Sequence, residues 1–279
     1  MMTTLEVLNA AASYLEKNAV ESPRLNAEHL LAHVLGKKKR IDLYLEFERP
    51  LGEAERAPLR DLVKRRSEGV PLQHLLGTVE FLGREFDCDA RALIPRPETE
   101  ELVELVLKEA PTAQTFLDVG TGSGVIALGI ALQRPEASVI ACDISSEALA
   151  LAEKNRARHA LQHRVTLIAS DLLAEIHGPF DVIVANLPYI PADDIAGLSR
   201  EVRHDPLTAL EGGPDGLGFI QRLAVEALPA LNPGGLLALE IGHDQAGRVC
   251  ALLQNLNYRN PAAHHDLQGV QRFLIARKP

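Results

Sequence analysis

Two periodicities divide the chain. From Thr4 to about residue 70, apolar side chains recur every three or four positions, as in Leu5, Leu8, Ala12 and Leu15 and again in Leu30, Leu31, Val34 and Leu35. That is the spacing of amphipathic helices packed on one another. Pro23, Gly36, Pro50, Pro58 and Gly69 are expected to break the region into short helices. Residues 75–89, interrupted by Gly77 and Gly83, have strand character and read as a hairpin. Beyond Thr115 the pattern becomes short apolar runs without polar alternation, at 115–119, 138–142, 165–169, 180–185, 235–241 and 272–276. Most are separated by helical stretches such as 125–133 and 146–158. Strands of that kind are covered on both faces, which predicts an α/β fold with a doubly wound, mostly parallel sheet. The expected division is a small helical bundle at 1–72, a hairpin linker at 73–93 and the α/β domain at 94–279.

Composition narrows the partners. A chain of 279 residues, 46% hydrophobic, can bury one large core or a core with a small satellite. A formal charge of -9 argues against a long phosphate backbone as the main partner, so no direct nucleic-acid binding is expected. The first 20 residues mix apolar positions with Glu6, Glu16 and Lys17, unlike a secretion signal, and no run approaches the ~20 apolar residues of a membrane span. Cys88, Cys142 and Cys250 are scattered without metal spacing, which favours buried filler in a reducing, cytoplasmic setting. His264, His265 and Asp266, or His204 and Asp205, lack further ligands at metal spacing, so no metal is expected. The basic residues Lys37, Lys38, Lys39 and Arg40 can form a solvated turn or touch an acidic partner.

The candidate chemistry lies at strand ends, where ligands of doubly wound sheets bind. Asn186, Leu187, Pro188 and Tyr189 follow the run 180–185. An Asn carboxamide oxygen and a neighbouring backbone carbonyl can accept both N–H bonds of a substrate NH2 while an aromatic ring flanks its flat face, a geometry suited to N-methylation of an amide or an aromatic amine. Tyr189 is expected to wall the substrate channel. Gly120, Thr121, Gly122, Ser123 and Gly124 end the run 115–119 and open the helix at 125 with G-x-G-x-G spacing, rather than the G-x-G-x-x-G that brings pyrophosphate to a helix N-terminus. Asp143, about 20 residues on, can accept from two ribose hydroxyls or cap the next helix, for which Ser145 and Ser146 are also available. Asp171 can accept from an adenine amino group and Leu172 can pack on the ring. One nucleoside without a pyrophosphate points to S-adenosylmethionine, with S-adenosylhomocysteine as product. Asn155 reads as a surface or capping residue, and no His or Glu stands out as a general base.

The loop at 120–124, Asp143 and the quartet at 186–189 resemble those of class I S-adenosylmethionine methyltransferases. Ile94, Pro95, Arg96, Pro97, Glu98, Thr99 and Glu100 are more narrowly similar to the hallmark of HemK-type peptide chain release factor glutamine methyltransferases, as is the tail around Asp266, Gly269, Val270 and Arg272. The resemblance implies a Rossmann-like methyltransferase domain behind a helical substrate-recognition domain. It implies N5-methylation of the glutamine in the Gly-Gly-Gln motif of class I release factors, by a chain expected to be monomeric. Arg96 and Glu98 then either contact the cofactor or fix the linker. The family carries two prolines between Asn and Tyr; here the first is Leu187, and the quartet is also similar to that of ribosomal RNA adenine dimethyltransferases. The acceptor expected at this position is the backbone carbonyl, which Leu also supplies.

Overall fold

The computed structural model describes residues 2–279, which fall into two compact units. One contains residues up to Thr78 together with the excursion Ser199–His204; the other contains Val79–Leu198 and Asp205–Pro279.

In the first unit, helices α1 (Thr4–Lys17), α2 (Pro23–Val34), α3 (Glu53–Ser67) and α4 (Leu72–Leu76) surround Leu8, Leu15, Leu30, Leu31, Leu43 and Leu51, all fully buried. Thr3 starts α1 with a reciprocal cap: its hydroxyl accepts from the Glu6 N–H at 3.3 Å while the Glu6 carboxylate accepts from the Thr3 N–H at 2.8 Å. Pro58 does not break the chain as expected but lies inside α3. It sits near the helix start on the exposed side, where water can serve the carbonyl its missing N–H leaves free. Arg40, of the basic run, donates to the buried Glu28 at 2.6 Å, and Lys37 pairs with Glu46, so two of the four cations are used internally. Arg66 is buried against Asn26 at 2.7 Å and pairs with Glu201, which ties the excursion to this unit.

The second unit begins at Val79, within the hairpin of β1 (Thr78–Phe81) and β2 (Arg84–Asp87). Its two turn residues, Leu82 and Gly83, both have positive φ, at 49° and 69°, the handedness that matches a twisted two-residue hairpin. There follow α5 (Pro97–Glu109), β3 (Thr115–Val119), α6 (Val125–Gln133), β4 (Ser138–Asp143), α7 (Ser146–Arg158), β5 (Val165–Ala169) and β6 (Phe180–Ala185). The chain ends with α8 (Gly218–Ala230), β7 (Leu231–Glu240), α9 (Ala246–Asn255), β8 (Arg259–His265) and β9 (Gln271–Arg277). The sheet order is β5-β4-β3-β6-β7-β9-β8, parallel through β7, with β9 antiparallel to β7 and β8 antiparallel to β9. Apolar clusters cover both faces, one with α5, α6 and the hairpin and the other with α8 and α9. The strand order reverses between β3 and β6, which opens a crevice at their carboxyl ends. Among the described residues no helix is long and apolar enough to cross a membrane.

Candidate active site

A single cavity gathers most of the expected residues: Gly120, Thr121, Gly122, Ser123, Asp143, Asp171, Leu172, Asn186, Leu187 and Pro188 all line it. Gly124 and Tyr189 do not. The Cβ of any other residue at 124 would meet Leu128 at 3.1 Å and Ala152 of α7 at 3.2 Å, so Gly124 serves the close packing of α6 and α7 and not the cavity wall. Its φ of 86° makes it the left-handed start of α6. Tyr189 is packed against the apolar cluster of α8 and α9, and burial pushes its phenol up to about 12.

On the cofactor side, the contacts are mostly short in sequence. The Asp143 carboxylate accepts from the Gly122 N–H at 2.8 Å and from the Ser145 N–H at 2.9 Å. Ser145 is the residue that caps α7, its hydroxyl accepting from the Ala148 N–H at 3.2 Å, so Asp143 is released from capping. Burial pushes the Asp143 carboxyl above its ordinary range, against the pull of the backbone N–H groups of Ser145, Gly122 and Ile144. A half-buried carboxylate with acceptor capacity in hand gains from further donors, which two vicinal hydroxyls would supply. Ile144 lines the cavity beside it at 71% exposure, an apolar surface left open where a flat ring can lie. Asp171 pairs with Arg222 at 2.9 Å, and Leu172 is buried with φ 49°. Beneath the loop, Asp118 is fully buried, and burial pushes its carboxyl up to about 7 despite hydrogen bonds from Thr121 and Ala127. Its second oxygen has no hydrogen-bond partner among the described residues. The glycine turn, the polar end at Asp143 and the apolar faces of Ile144 and Leu172 fit a nucleoside ligand such as S-adenosylmethionine.

Asn155 is not at the surface. It is fully buried, and its amide accepts from the Asp87 N–H at 2.7 Å and donates to the carbonyls of Asp87 at 3.1 Å and Ser123 at 2.9 Å. The helix register that turns Leu151 and Ala152 inward turns Asn155 inward too, where β2 and the glycine loop leave backbone groups to satisfy.

The quartet is held from far away. Gln245 donates to the Tyr189 carbonyl at 2.9 Å, the Ile190 N–H donates to the Leu210 carbonyl at 3.0 Å, and the Gly212 N–H donates to the Ile190 carbonyl at 2.8 Å. A Cβ at Gly212 would fall 2.6 Å from the Pro188 carbonyl oxygen, and one at Gly216 only 2.2 Å from that of Tyr189. Only glycine permits this backbone-on-backbone clamp. Leu187 is buried, with one methyl 2.8 Å from where a side chain at Gly120 would begin, so its bulk fills the space above the cofactor turn. The Asn186 amide nitrogen donates to the Thr99 hydroxyl at 3.1 Å, and that hydroxyl donates to Glu240 at 2.8 Å. Arg96 lines the cavity and is also pinned to the buried Asp205 at 2.6 Å, whereas Glu98 is not in the lining. Thr99 belongs to the 94–100 hallmark, but its bond to Asn186 is not readable there; Glu240, Gly212, Gly216 and Gln245 carry no sequence signal beyond the glycine-rich stretch at 212–218.

Both units of the chain are similar to known proteins. The PrmC N-terminal domain model matches residues 6–77, and the methyltransferase small domain model matches residues 97–198. A release factor glutamine methyltransferase of Geobacter sulfurreducens is 42% identical over 99% of this chain and 96% of its own length. One of Deinococcus radiodurans is 42% identical over 99% of both. A methyltransferase from Pyrococcus furiosus superposes on 71% of this chain and 90% of its own with a TM-score of 0.53 at 21% identity, a likeness of fold. The α/β unit is thus a Rossmann-like methyltransferase domain, and with identity sustained through the helical unit as well, the chain belongs to the release factor glutamine methyltransferase family.

Proposed function

We propose that the chain transfers the methyl group of S-adenosylmethionine to the side-chain amide nitrogen of the glutamine in the Gly-Gly-Gln motif of class I peptide chain release factors, in the cytoplasm and as a monomer. The observation that carries this reading is the hydrogen bond from the Asn186 NH2 to Thr99 in a residue that lines the cavity, an orientation that leaves the Asn186 carbonyl oxygen for the substrate. A primary amide nitrogen is a poor nucleophile because its lone pair is delocalised into the carbonyl. Asn186 Oδ1 and the Leu187 carbonyl, accepting one N–H each, hold the nitrogen in line and favour the positive charge that develops on it. S-adenosylmethionine supplies the electrophilic methyl. Gly120, Gly122, Asp143, Asp171 and Leu172 are assigned to holding it, and the Gly212 and Gly216 clamp keeps the two acceptors at a fixed depth.

The helical unit is assigned to docking the folded release factor, because one loop offers little surface on which to orient an amide, and remote binding energy can be spent on alignment. The test uses labelled S-adenosylmethionine with, separately, a folded release factor, a short Gly-Gly-Gln peptide and ribosomal RNA, and the label is located by mass spectrometry. Label is expected on the glutamine of the folded factor and much less on the peptide. Label on adenine in the RNA and none on protein would overturn the assignment.

A further inference from the structure

We propose that Thr99 and Glu240 are positioning residues that set which end of the Asn186 amide faces the substrate. The inference rests on the function proposed above and names two residues that act through Asn186. The parallel register that places Ala185 beside Leu239 brings the next pair, Asn186 and Glu240, side by side at the strand ends. Thr99, in the first turn of α5, lies between them and is buried, as is Glu240.

A hydroxyl has one proton to give. Thr99 donates it to Glu240 at 2.8 Å, so toward Asn186 its oxygen can only accept, and the group it accepts from, at 3.1 Å, is the Asn186 NH2. The Asn186 carboxamide is nearly symmetric in shape, and nothing in its volume prevents a half-turn. The direction of the donor chain prevents it: an ionised Glu240 can only accept, which sends the protons of Thr99 and Asn186 inward and leaves Oδ1 outward. With the amide reversed, Asn186 would offer N–H to the cavity and hold the substrate glutamine by its carbonyl oxygen, turning the reacting nitrogen away.

The same chain of donors makes the orientation sensitive to protonation. Burial pushes the Glu240 carboxyl up to about 7; Thr99 and Asn186 hydrogen bonds and the charge of Arg272 on β9 oppose this, while Glu98 on α5 adds to it. The Tyr189 phenol, which also faces Glu240, stays neutral through this range. Arg272 in turn is 3.7 Å from Asp266. A protonated Glu240 can donate to Thr99, freeing the Thr99 proton for Asn186 Oδ1 and reversing the chain. Turnover should therefore rise with pH through the Glu240 titration and level off above it.

The experiment compares wild type with Thr99→Val, Thr99→Ser and Glu240→Gln on folded release factor. Thr99→Val and Glu240→Gln should each lower kcat about tenfold, with KM for the factor and cofactor affinity within threefold, and Glu240→Gln should lose the acid limb near pH 7. Thr99→Ser should recover most of the rate. Side-chain amide NMR of 15N-labelled protein reads the orientation without turnover: the Asn186 NH2 signal should move in Thr99→Val and Glu240→Gln and stay in Thr99→Ser. Wild-type kcat and an unmoved Asn186 signal in both Thr99→Val and Glu240→Gln overturn the proposal. Absence of label from the wild-type glutamine, with the Asn186 signal moving as stated, overturns the substrate and leaves the orienting role standing.

Discussion

The two halves of the cavity are built by different means. On the cofactor side, Asp143 is bonded to Gly122 and Ser145, and Asp118 to Thr121 and Ala127, all within one strand–loop–helix passage or its immediate neighbour. On the substrate side, Asn186 and Tyr189 are held by Thr99, Glu240, Gly212, Gly216 and Gln245, which come from α5, β7 and the loops flanking α8 and α9. A binding site for a common small molecule can be encoded in a local turn. A site that must hold an amide in line for transfer is assembled from contacts spread over more than a hundred residues, as in the bond between Thr99 and Glu240.

Perturbations on the two sides should separate binding from turnover. Asn186→Ala is expected to lower turnover by about 10²-fold or more while cofactor affinity stays within a few-fold, since its oxygen acts on the nitrogen as charge develops. Single-turnover rates beside calorimetric titrations distinguish the two. Asp143→Ala should do the reverse, weakening cofactor binding by about 1.5–3 kcal/mol through the loss of a charged acceptor, with turnover at saturating cofactor much less affected. Equal cofactor affinity in wild type and Asp143→Ala would remove the ribose assignment.

Gly216→Ala tests the clamp. A Cβ 2.2 Å from the Tyr189 carbonyl oxygen, at a φ of 72°, must push the quartet or the loop aside, and a loss of about 1–3 kcal/mol in stability is expected in denaturant titrations. Whatever turnover remains should be low relative to cofactor affinity. Stability should also depend on pH through both sides. The Asp118 and Glu240 carboxyls are raised to about 7 from ordinary values of 3.8 and 4.5, so each binds its proton more tightly folded than unfolded. Their contribution is present below the unfolded values and lost as pH rises through about 7. The melting temperature should fall between pH 5 and pH 8 by this route, and Asp118→Asn should reduce the slope. The smallest effect is expected from Leu187→Pro, within about threefold in turnover, because the carbonyl is kept; abolished transfer in a folded variant would show that the Leu187 side chain against Gly120 matters as much as its backbone.

The same division explains what could be read from the sequence. The runs 115–119, 165–169 and 180–185 and the helices 125–133 and 146–158 coincide with β3, β5, β6, α6 and α7; β3, β6 and α6 are almost wholly buried and so show as apolar stretches, while α7 shows as a helical period with one buried face. The edge strand β8 was not visible: its sequence, with Pro261, His264 and His265, has no apolar period, and only pairing with β9 makes it a strand. Pro58 reads as a break in the sequence because its tolerance depends on exposure at one carbonyl, which one-dimensional pattern does not contain. Asn155 reads as a surface residue in the sequence because a buried amide looks like any polar residue until its partners Asp87 and Ser123 are known. The quartet itself was legible, while its supports were not, since no spacing rule links Thr99 to Asn186 across 87 positions.

Asn155 has a further consequence. By bonding Ser123 and both polar atoms of the Asp87 backbone, it spans the hairpin and the glycine turn with one planar group that cannot rotate without breaking all three contacts. Three positive-φ glycines in five residues would otherwise make 120–124 among the most mobile parts of the chain. With the turn moored in this way, the disorder that a ligand would have to remove on arrival has been removed during folding, so little of the ligand's contact energy is consumed in ordering the loop. An amide on the inward face of α7, outside the cavity lining, thereby favours the affinity of the pocket beside it.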